Sequence, residues 1–161
     1  MQFTLRDYQP DDFNTLWEID QSCFPAGIAY SQSELKTYIR RWQTFTLVAE
    51  SDGSLRTDRR ILGFLVAEGS RRGIGHIITI DVRSPSRRHH VGSALLEAAE
   101  VRLRAAKCDS VRLEAAVDNV SALAFYKRHG YDVIQTVPRY YSNGVDALLL
   151  EKSLLSSLSS S

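Results

Sequence analysis

Cysteine is scarce in this sequence of 161 residues, and so are the features that mark secreted and membrane proteins. Its two cysteines, Cys23 and Cys108, cannot form the disulfide framework of a small secreted protein, and they stand at no metal-ligand spacing. Residues 1–12 lack the basic and then apolar pattern of a signal peptide. No apolar run approaches the roughly 18 residues that a membrane-spanning helix needs. These absences favour a cytoplasmic enzyme or binding domain that uses no metal and no membrane.

A net charge of one sign is also missing, because 20 lysines and arginines oppose 19 aspartates and glutamates. This balance argues against a general nucleic-acid partner. The charge is uneven, however, since residues 1–35 hold six acidic residues and one basic residue, whereas residues 71–112 hold nine basic and four acidic residues. Five of the eight residues from Arg83 to His90 are arginine or histidine. This basic cluster is either a solvated turn or a local site for a phosphate-bearing ligand, and the acidic first third is more typical of a solvated face than of a peptide-binding surface.

The hydrophobic periodicity predicts a mixed α/β (α+β) domain over residues 1–152, followed by a fraying tail over residues 153–161. A capping box at Ser31–Glu34 predicts the start of the second helix, and Gly130 stands where a left-handed cap would end the last one. Three strands follow one another before the third helix, which excludes a doubly wound fold. The predicted order is βααβββαβαββ. The predicted strands are Phe3–Arg6, Thr44–Ala49, Ile61–Ala67, Gly75–Val82, Ser110–Ala116, Asp132–Thr136 and Asp146–Glu151. The first predicted helix extends from Pro10 to Phe24, the second reaches Trp42, and the others span Val91–Lys107 and Asn119–His129. A hairpin loop is predicted for Glu50–Arg60.

The junction between Val82 and Ser93 is the most informative segment for function. A β-branched strand ends there, a basic loop follows, and a helix begins directly. A helix start exposes unpaired backbone N–H groups and a partial positive charge, so that it suits phosphate when arginines lie beside it. The segment lacks the Lys-Ser/Thr pair of a P-loop and the G-x-G-x-x-G of a dinucleotide-binding turn. The residues therefore indicate an anion site of another kind.

Three motifs in this chain resemble the GNAT superfamily of N-acetyltransferases over roughly residues 3–152. Arg87-x-x-His90-x-Gly92 resembles its Arg/Gln-x-x-Gly-x-Gly/Ala acetyl-CoA signature. The family's second half is matched by Leu113-Glu114, Asn119, Ala122, Tyr126 and Gly130-Tyr131. The ending Arg139-x-Tyr141-x-x-Gly144-x-Asp146-Ala147 resembles that of N-terminal acetyltransferases, especially the bacterial ribosomal-protein-alanine type. The resemblance implies a GNAT fold, in which about four helices flank a centrally splayed sheet.

The resemblance also implies that acetyl-CoA is the acetyl donor and where it binds. The implied contacts are Ile80, Asp81 and Val82 for the pantetheine arm, Arg87, Arg88, His89, His90, Val91, Gly92 and Ser93 for the diphosphate, and Asn119 for a further contact. Asn119 is equally suited to be a helix N-cap. His90 replaces the first glycine of the signature, and it fits if its backbone stays in an ordinary region, which a helix start permits. The alternative is a pocket that has decayed or that accepts another ligand.

Two residues are implied to carry the chemistry. Tyr126 corresponds to the family's acid, and a phenol with a pKa of about 10 can protonate a thiolate of comparable basicity; as an alternative it is a core aromatic residue. Glu114 corresponds to the base of the ribosomal-protein-alanine enzymes, and its alternative is an outward-facing strand residue. The family's Leu-Glu-Val-Arg run reads Leu113-Glu114-Ala115-Ala116 here, without the arginine. Tyr140 and Tyr141 are implied to line the acceptor groove, unless one of them faces the core.

The acceptor is expected to be an N-terminal α-amine of a protein or peptide. An α-amine with a pKa near 8 is about a tenth neutral at pH 7, whereas a lysine near 10.4 is neutral to well below 0.1%. A carboxylate that acts through water suffices for the first amine. A small amine, an amino acid or a lysine side chain remains an alternative, as does a non-catalytic CoA-binding sensor. The chain is expected to act as a monomer or homodimer, and His76, His89 and His129 are expected to be structural or exposed.

Overall fold

The computed structural model describes residues 2–52 and 60–155, and within them the predicted order of strands and helices is confirmed. The strands are β1 Phe3–Asp7, β2 Thr44–Ser51, β3 Ile61–Glu68, β4 Ile74–Val82, β5 Ser110–Ala116, β6 Asp132–Val137 and β7 Ala147–Ser153. The helices are α1 Phe13–Cys23, α2 Gln32–Arg40, α3 Val91–Ala105 and α4 Val120–Arg128, and short 3-10 turns at Pro10–Asp12 and Ser84–His89 precede α1 and α3. No helix within this part of the chain is both long and apolar enough to cross a membrane.

The sheet divides in its centre. Its seven strands lie in the order β1-β2-β3-β4-β5-β7-β6, and only the β4–β5 pair is parallel. That pair is short, since it joins Ile74–His76 to Ser110–Arg112 and no further residues. Beyond His76 the strands separate, so that the carboxyl-terminal half of β4 is paired on one side only. The predicted splay of the sheet is thereby confirmed.

An apolar cluster covers each face of the sheet. On one face, α3 buries Leu95, Leu96 and Leu103 completely. On the other face, α1 and α2 bury Leu16 and Leu35. Together the two clusters hold β3, which is buried along almost its whole length.

A bulge in β4 changes which side chains face which helix. The register between β3 and β4 shifts at Val66 and Ala67, so that the bulge falls at Ile78. Before the bulge, Ile77 packs in the α3 cluster. After it, the side chain of Asp81 is buried on the α1 side, while Ile80 packs against the α3 cluster. The bulge therefore decides which residues at the end of β4 face the gap between the strands.

Most predicted elements begin or end one to three residues away from the observed bounds. Phe24 lies beyond α1 with an extended backbone (φ −130°, ψ 147°), and Trp42 lies beyond α2 with 76% of its surface exposed. The domain also extends past residue 152, because Ser153 belongs to β7 and Leu154 is only 3% exposed. Residues 53–59 of the predicted hairpin loop and 156–161 of the predicted tail lie outside the described residues.

Candidate active site

The gap between β4 and β5 opens into a cleft of about 900 Å³. Its size is within the range of pockets that bind small molecules and cofactors. The start of α3 and the length of α4 line one side, and the α1–α2 connection and the β6–β7 loop line the other. The predicted site residues that it gathers are Ile80, Val82, Arg87, His90, Gly92, Ser93, Glu114, Asn119, Tyr126 and Tyr141.

Three predicted residues lie elsewhere, and Arg88 and His89 have side chains outside the described part of the structure. Val91 is fully buried in the α3 cluster. Tyr140 is 46% exposed at the edge of the cleft. Asp81 is 1% exposed, and its carbonyl oxygen faces β3, where it would lie 2.6 Å from a Cβ added to Gly63. The prediction that Asp81 contacts the cofactor is therefore not supported, because the bulge turns its side chain toward α1.

The basic end of the cleft is built around the start of α3. Arg87 donates from Nε to the carbonyl oxygen of Val82 at 3.0 Å, and its Nη2 lies 3.6 Å from Sγ of Cys23. Ser93, in the first turn of α3, contacts Nε2 of His129 through its hydroxyl at 2.9 Å. His129 is thus neither a surface residue nor a simple core residue, because it links the end of α4 to the start of α3. The helix start, the guanidinium and the hydroxyl together form a surface suited to phosphate.

The backbone of His90 does not lie in the ordinary region in which a histidine was expected to fit this motif position. Its φ of 63° and ψ of 19° place it in the left-handed region, at the N-cap of α3. The chain needs this conformation because it leaves the 3-10 turn Ser84–His89 and reverses directly into α3. Histidine is among the few non-glycine residues enriched in this region, although glycine adopts it at lower cost. The expectation of an ordinary backbone at His90 is therefore wrong.

Glu114 and His76 form a pair on the acceptor side of the cleft. His76 of β4 lies opposite Arg112 of β5, and Glu114 follows two residues later on the same face. Oε1 of Glu114 lies 2.7 Å from Nε2 of His76, and the two side chains are 19% and 36% exposed. Glu114 therefore faces the cleft and not the bulk solvent. Spacing along the chain could not reveal His76, because the contact depends on the register between two strands that are 38 residues apart.

Tyr126 lies across the cleft from this pair. It is 8% exposed, and burial, followed by the charges of Asp81 and the neighbouring Tyr141, raises its pKa well above 10. The hydroxyl therefore stays protonated at every working pH, and it is a weaker acid than the sequence analysis assumed. At the cleft edge, burial and the charge of Glu114 raise the pKa of Tyr140 to about 12.

Asn119 caps the start of α4, as predicted for the alternative to a cofactor contact. Its side-chain oxygen accepts a hydrogen bond from the backbone N–H of Ala122 at 3.2 Å, so that it caps α4. It also lines the cleft. A contact with the cofactor is compatible with this cap, because the cap uses the side-chain oxygen of Asn119 and not its amide nitrogen.

Behind β4 lies a pair of carboxyl groups that the sequence pattern does not reveal. Asp20 of α1 and Asp81 are 0% and 1% exposed, and Asp20 accepts a 2.7 Å bond from the backbone N–H of Tyr30. Asp81 accepts a 2.5 Å bond from the hydroxyl of Thr79. Burial, followed for Asp81 by its contact with Asp20, raises the pKa of both groups. Asp20 is thus part of the interior and not of a solvated acidic face.

Two loops meet over the acceptor side of the cleft. The backbone N–H and the hydroxyl of Ser142 both donate to the carbonyl oxygen of Gly27, at 3.2 and 2.9 Å. Gly27 has a φ of 90°, and a Cβ there would lie 2.6 Å from Cβ of Asn143. Only glycine allows this approach. The α1–α2 connection and the β6–β7 loop therefore form a bridge across the entrance.

The site and the fold define a class of enzyme. A sheet that opens between β4 and β5 carries a basic surface suited to phosphate at one end of the gap and a carboxylate at the other. Among the residues that the structure describes, no cluster of side chains could hold a metal ion. Such a cleft suits the transfer of a group from a phosphate-bearing donor to an acceptor. The model of the acetyltransferase (GNAT) family matches residues 13–131, and this chain belongs to that family. It is an acyltransferase, an N-acetyltransferase whose acetyl donor is acetyl-CoA.

Known relatives agree with this assignment. An uncharacterized N-acetyltransferase of Methanocaldococcus jannaschii is 32% identical over 149 residues, which cover 92% of this chain and 90% of the relative. N-alpha-acetyltransferase 30 of Dictyostelium discoideum is 27% identical and is matched over 75% of this chain and 64% of its own length. The crystal structure of Ard1 from Thermoplasma volcanium superposes with a TM-score of 0.84 at 29% identity, over 97% of this chain and 100% of that one.

Proposed function

We propose that this protein transfers the acetyl group of acetyl-CoA directly to the N-terminal α-amine of a protein or peptide. The observation that carries the proposal is Glu114, a carboxylate that lines the cleft and is held by His76 at 2.7 Å. The names of the relatives support it, since several are N-alpha-acetyltransferases. The acceptor itself follows from the chemistry of the pair and from the shape of the entrance.

Glu114 is the base in this proposal, and it acts on the amine through a water molecule. A carboxylate is a weak base, so it serves an amine that is already partly neutral near pH 7. An α-amine meets this condition and a lysine does not. His76 is a positioning residue, because its ring nitrogen holds one carboxylate oxygen of Glu114 at 2.7 Å. Tyr140 lies beside this pair, since its hydroxyl interacts with the carboxylate of Glu114.

The bridge over the entrance favours a chain end over a side chain within a folded surface. The bonds from Ser142 to Gly27 join the two loops, so the acceptor must pass beside them. A peptide N-terminus is an extended, unbranched end and can be threaded in this way. A lysine in a folded protein brings its own backbone on both sides, which the bridge would meet.

The other end of the cleft fits acetyl-CoA. Beyond His76, β5 leaves the edge of β4 unpaired as far as Ile80, and an extended arm can bind there as an additional strand. Val82 lines the cleft with its carbonyl oxygen bonded to Arg87. Arg87, the start of α3 and Ser93 supply positive charge and donors for the diphosphate. The donor supplies the acetyl group as a thioester. Tyr126 holds its proton firmly, and in this proposal it donates a hydrogen bond to the sulfur as negative charge develops there, with proton transfer following that charge.

The test compares acceptors in an assay that detects the released thiol. A lysine-free peptide with a free N-terminus should release CoA, whereas the same peptide with a blocked N-terminus and an internal lysine should not. Free amino acids and polyamines complete the panel. Faster release with the lysine peptide or with a small amine would reject the α-amine. No release with any acceptor, together with measurable acetyl-CoA binding, would indicate a CoA sensor instead.

Substitution of the pair tests the base. Glu114→Gln removes the charge and should lower kcat by about 10²- to 10⁴-fold. Glu97→Gln, on the exposed face of α3, is the matched control and should leave kcat unchanged. His76→Gln can still donate to Glu114, so it should retain more activity than His76→Leu. Equal loss in both histidine variants would remove His76 from the positioning role.

A further inference from the structure

An exposed tryptophan lies among arginines at the opposite end of β4 from the phosphate-binding surface. Trp42 is 76% exposed, the highest fraction of any large apolar residue in the described chain. We call the group Arg40, Arg41, Trp42, Arg71 and Arg72 the Trp42 patch. All five residues are exposed. None of them takes part in the acetyl-transfer cleft.

Two segments that are distant in sequence build the Trp42 patch. The backbone N–H of Gly69 donates to the carbonyl oxygen of Gln43 at 3.1 Å, which joins the start of β2 to the turn between β3 and β4. The guanidinium of Arg71 then lies 5.9 Å from the centre of the Trp42 ring. The patch is therefore a product of the sheet and not of local sequence.

Its positive charge is only partly compensated. Arg41 lies 3.6 Å from Glu68 and 4.5 Å from the ring centre of Tyr38. In the described part of the chain, Arg40, Arg71 and Arg72 have no carboxylate at salt-bridge distance. The guanidinium of Arg71 thus lies over the exposed indole, and Arg40 and Arg72 add charge without a carboxylate partner in the two chain segments that form the patch.

We propose that the Trp42 patch binds single-stranded RNA, with a base stacked on Trp42 and phosphates on Arg40, Arg71 and Arg72. Unpaired RNA offers splayed bases that stack on aromatic rings and on arginine planes. A protein interface would require an apolar core around the tryptophan, whereas the residues that accompany Trp42 in the patch are all arginines. The near-zero net charge of the whole protein excludes only a general polyanion binder, because the local charge is what a short strand meets. This proposal is independent of the acceptor proposed above.

Fluorescence anisotropy with a labelled 16-nucleotide oligouridine tests the proposal on the intact protein. Binding should weaken with salt at a logarithmic slope of about −2, since each phosphate contact on a single strand contributes about −0.7. Trp42→Ala should weaken binding about 5- to 150-fold, which is the loss expected for one stacked base. Arg71→Ser should reduce the slope by about 0.7. Lys127→Ser, which removes an exposed charge from α4, is the control and should bind as the parent protein does.

Two competitors decide against other partners. Duplex RNA should compete weakly, because its bases are stacked inside the helix, and polyglutamate should compete weakly because it has no ring to stack. If duplex RNA competes equally well, binding at the Trp42 patch depends on charge alone, and the proposed stacking of a base on Trp42 is overturned. Equal competition by polyglutamate would assign the patch to an acidic protein. Unchanged affinity in Trp42→Ala would overturn the proposal outright, and a urea-unfolding transition like that of the parent protein confirms that the variant is folded.

Discussion

Replacing Asp81 with asparagine should change how the stability of this protein depends on pH. The two buried carboxyl groups of Asp20 and Asp81 leave one oxygen each, Oδ1 and Oδ2, without a donor among the described residues. A single proton held between these oxygens satisfies both and removes one of two buried negative charges. The pKa values of both groups are raised, in agreement with this arrangement.

The sign and the slope follow from proton binding. In the unfolded chain both carboxyls ionise near pH 3.9, whereas the folded pair retains one proton above that pH. The folded state then binds one proton more, so the free energy of unfolding falls by about 1.4 kcal/mol for each pH unit. This contribution is fully present below pH 3.9 and is lost as the pH rises toward the raised pKa of the pair. Between pH 5 and pH 7 the loss amounts to about 2.7 kcal/mol if the proton remains bound.

Asparagine at position 81 has no proton to lose, and its amide can donate to Asp20 and accept from Thr79. Urea unfolding at pH 5, 6 and 7 should therefore show Asp81→Asn gaining about 1.4 kcal/mol relative to the parent with each unit. Asp132→Asn, at an exposed position of β6, should keep a constant difference from the parent. A pH-independent difference for Asp81→Asn would show that the pair holds no extra proton and would refute the reasoning.

The other predictions concern the cleft. Tyr126→Phe should lower kcat with little change in acetyl-CoA affinity, measured by calorimetry; unchanged kcat would exclude the hydroxyl from the reaction. Gly27→Ala places a Cβ 2.6 Å from Cβ of Asn143 at a φ of 90°, so it should separate the two bridged loops and raise KM for a peptide more than KM for acetyl-CoA. An equal rise in both would show that the bridge does not serve the acceptor. His90→Gly should stabilise the protein against urea by roughly 1 kcal/mol, because glycine adopts the left-handed region freely. A loss of stability would mean that the His90 side chain makes a compensating contact.

The residues around His90 illustrate how far a motif predicts a conformation. The signature correctly indicated that a loop turns directly into a helix at this point. It did not indicate that a histidine there would adopt a left-handed backbone. The reversal from the 3-10 turn into α3 imposes the conformation, and the side chain has to accept it.

Asp81 illustrates a second limit, because the pairing of two strands and not the motif sets the direction of its side chain. In a regular strand the side chains alternate between the two faces of the sheet. Asp81 would then lie on the same face as Ile77, which packs in the α3 cluster. The bulge at Ile78 instead turns the Asp81 side chain into the interior beside Asp20. A bulge is a property of pairing between two strands, so the sequence of β4 alone does not contain it.

The order of the elements, the helix caps at Ser31 and Asn119, and the segment that forms the basic end of the cleft are predictable from the sequence alone. These features depend on hydrophobic period, on capping side chains and on contiguous motifs, which act over a few residues. The contacts of His76 with Glu114 and of Gly27 with Ser142, and the burial of the Asp20–Asp81 pair, arise only when the chain is folded. Each of these contacts joins groups far apart in the chain, and register, bulges and loop packing set their distances. Local propensity therefore sets the order of the helices and strands, and the long-range pairing of strands brings the candidate site residues together.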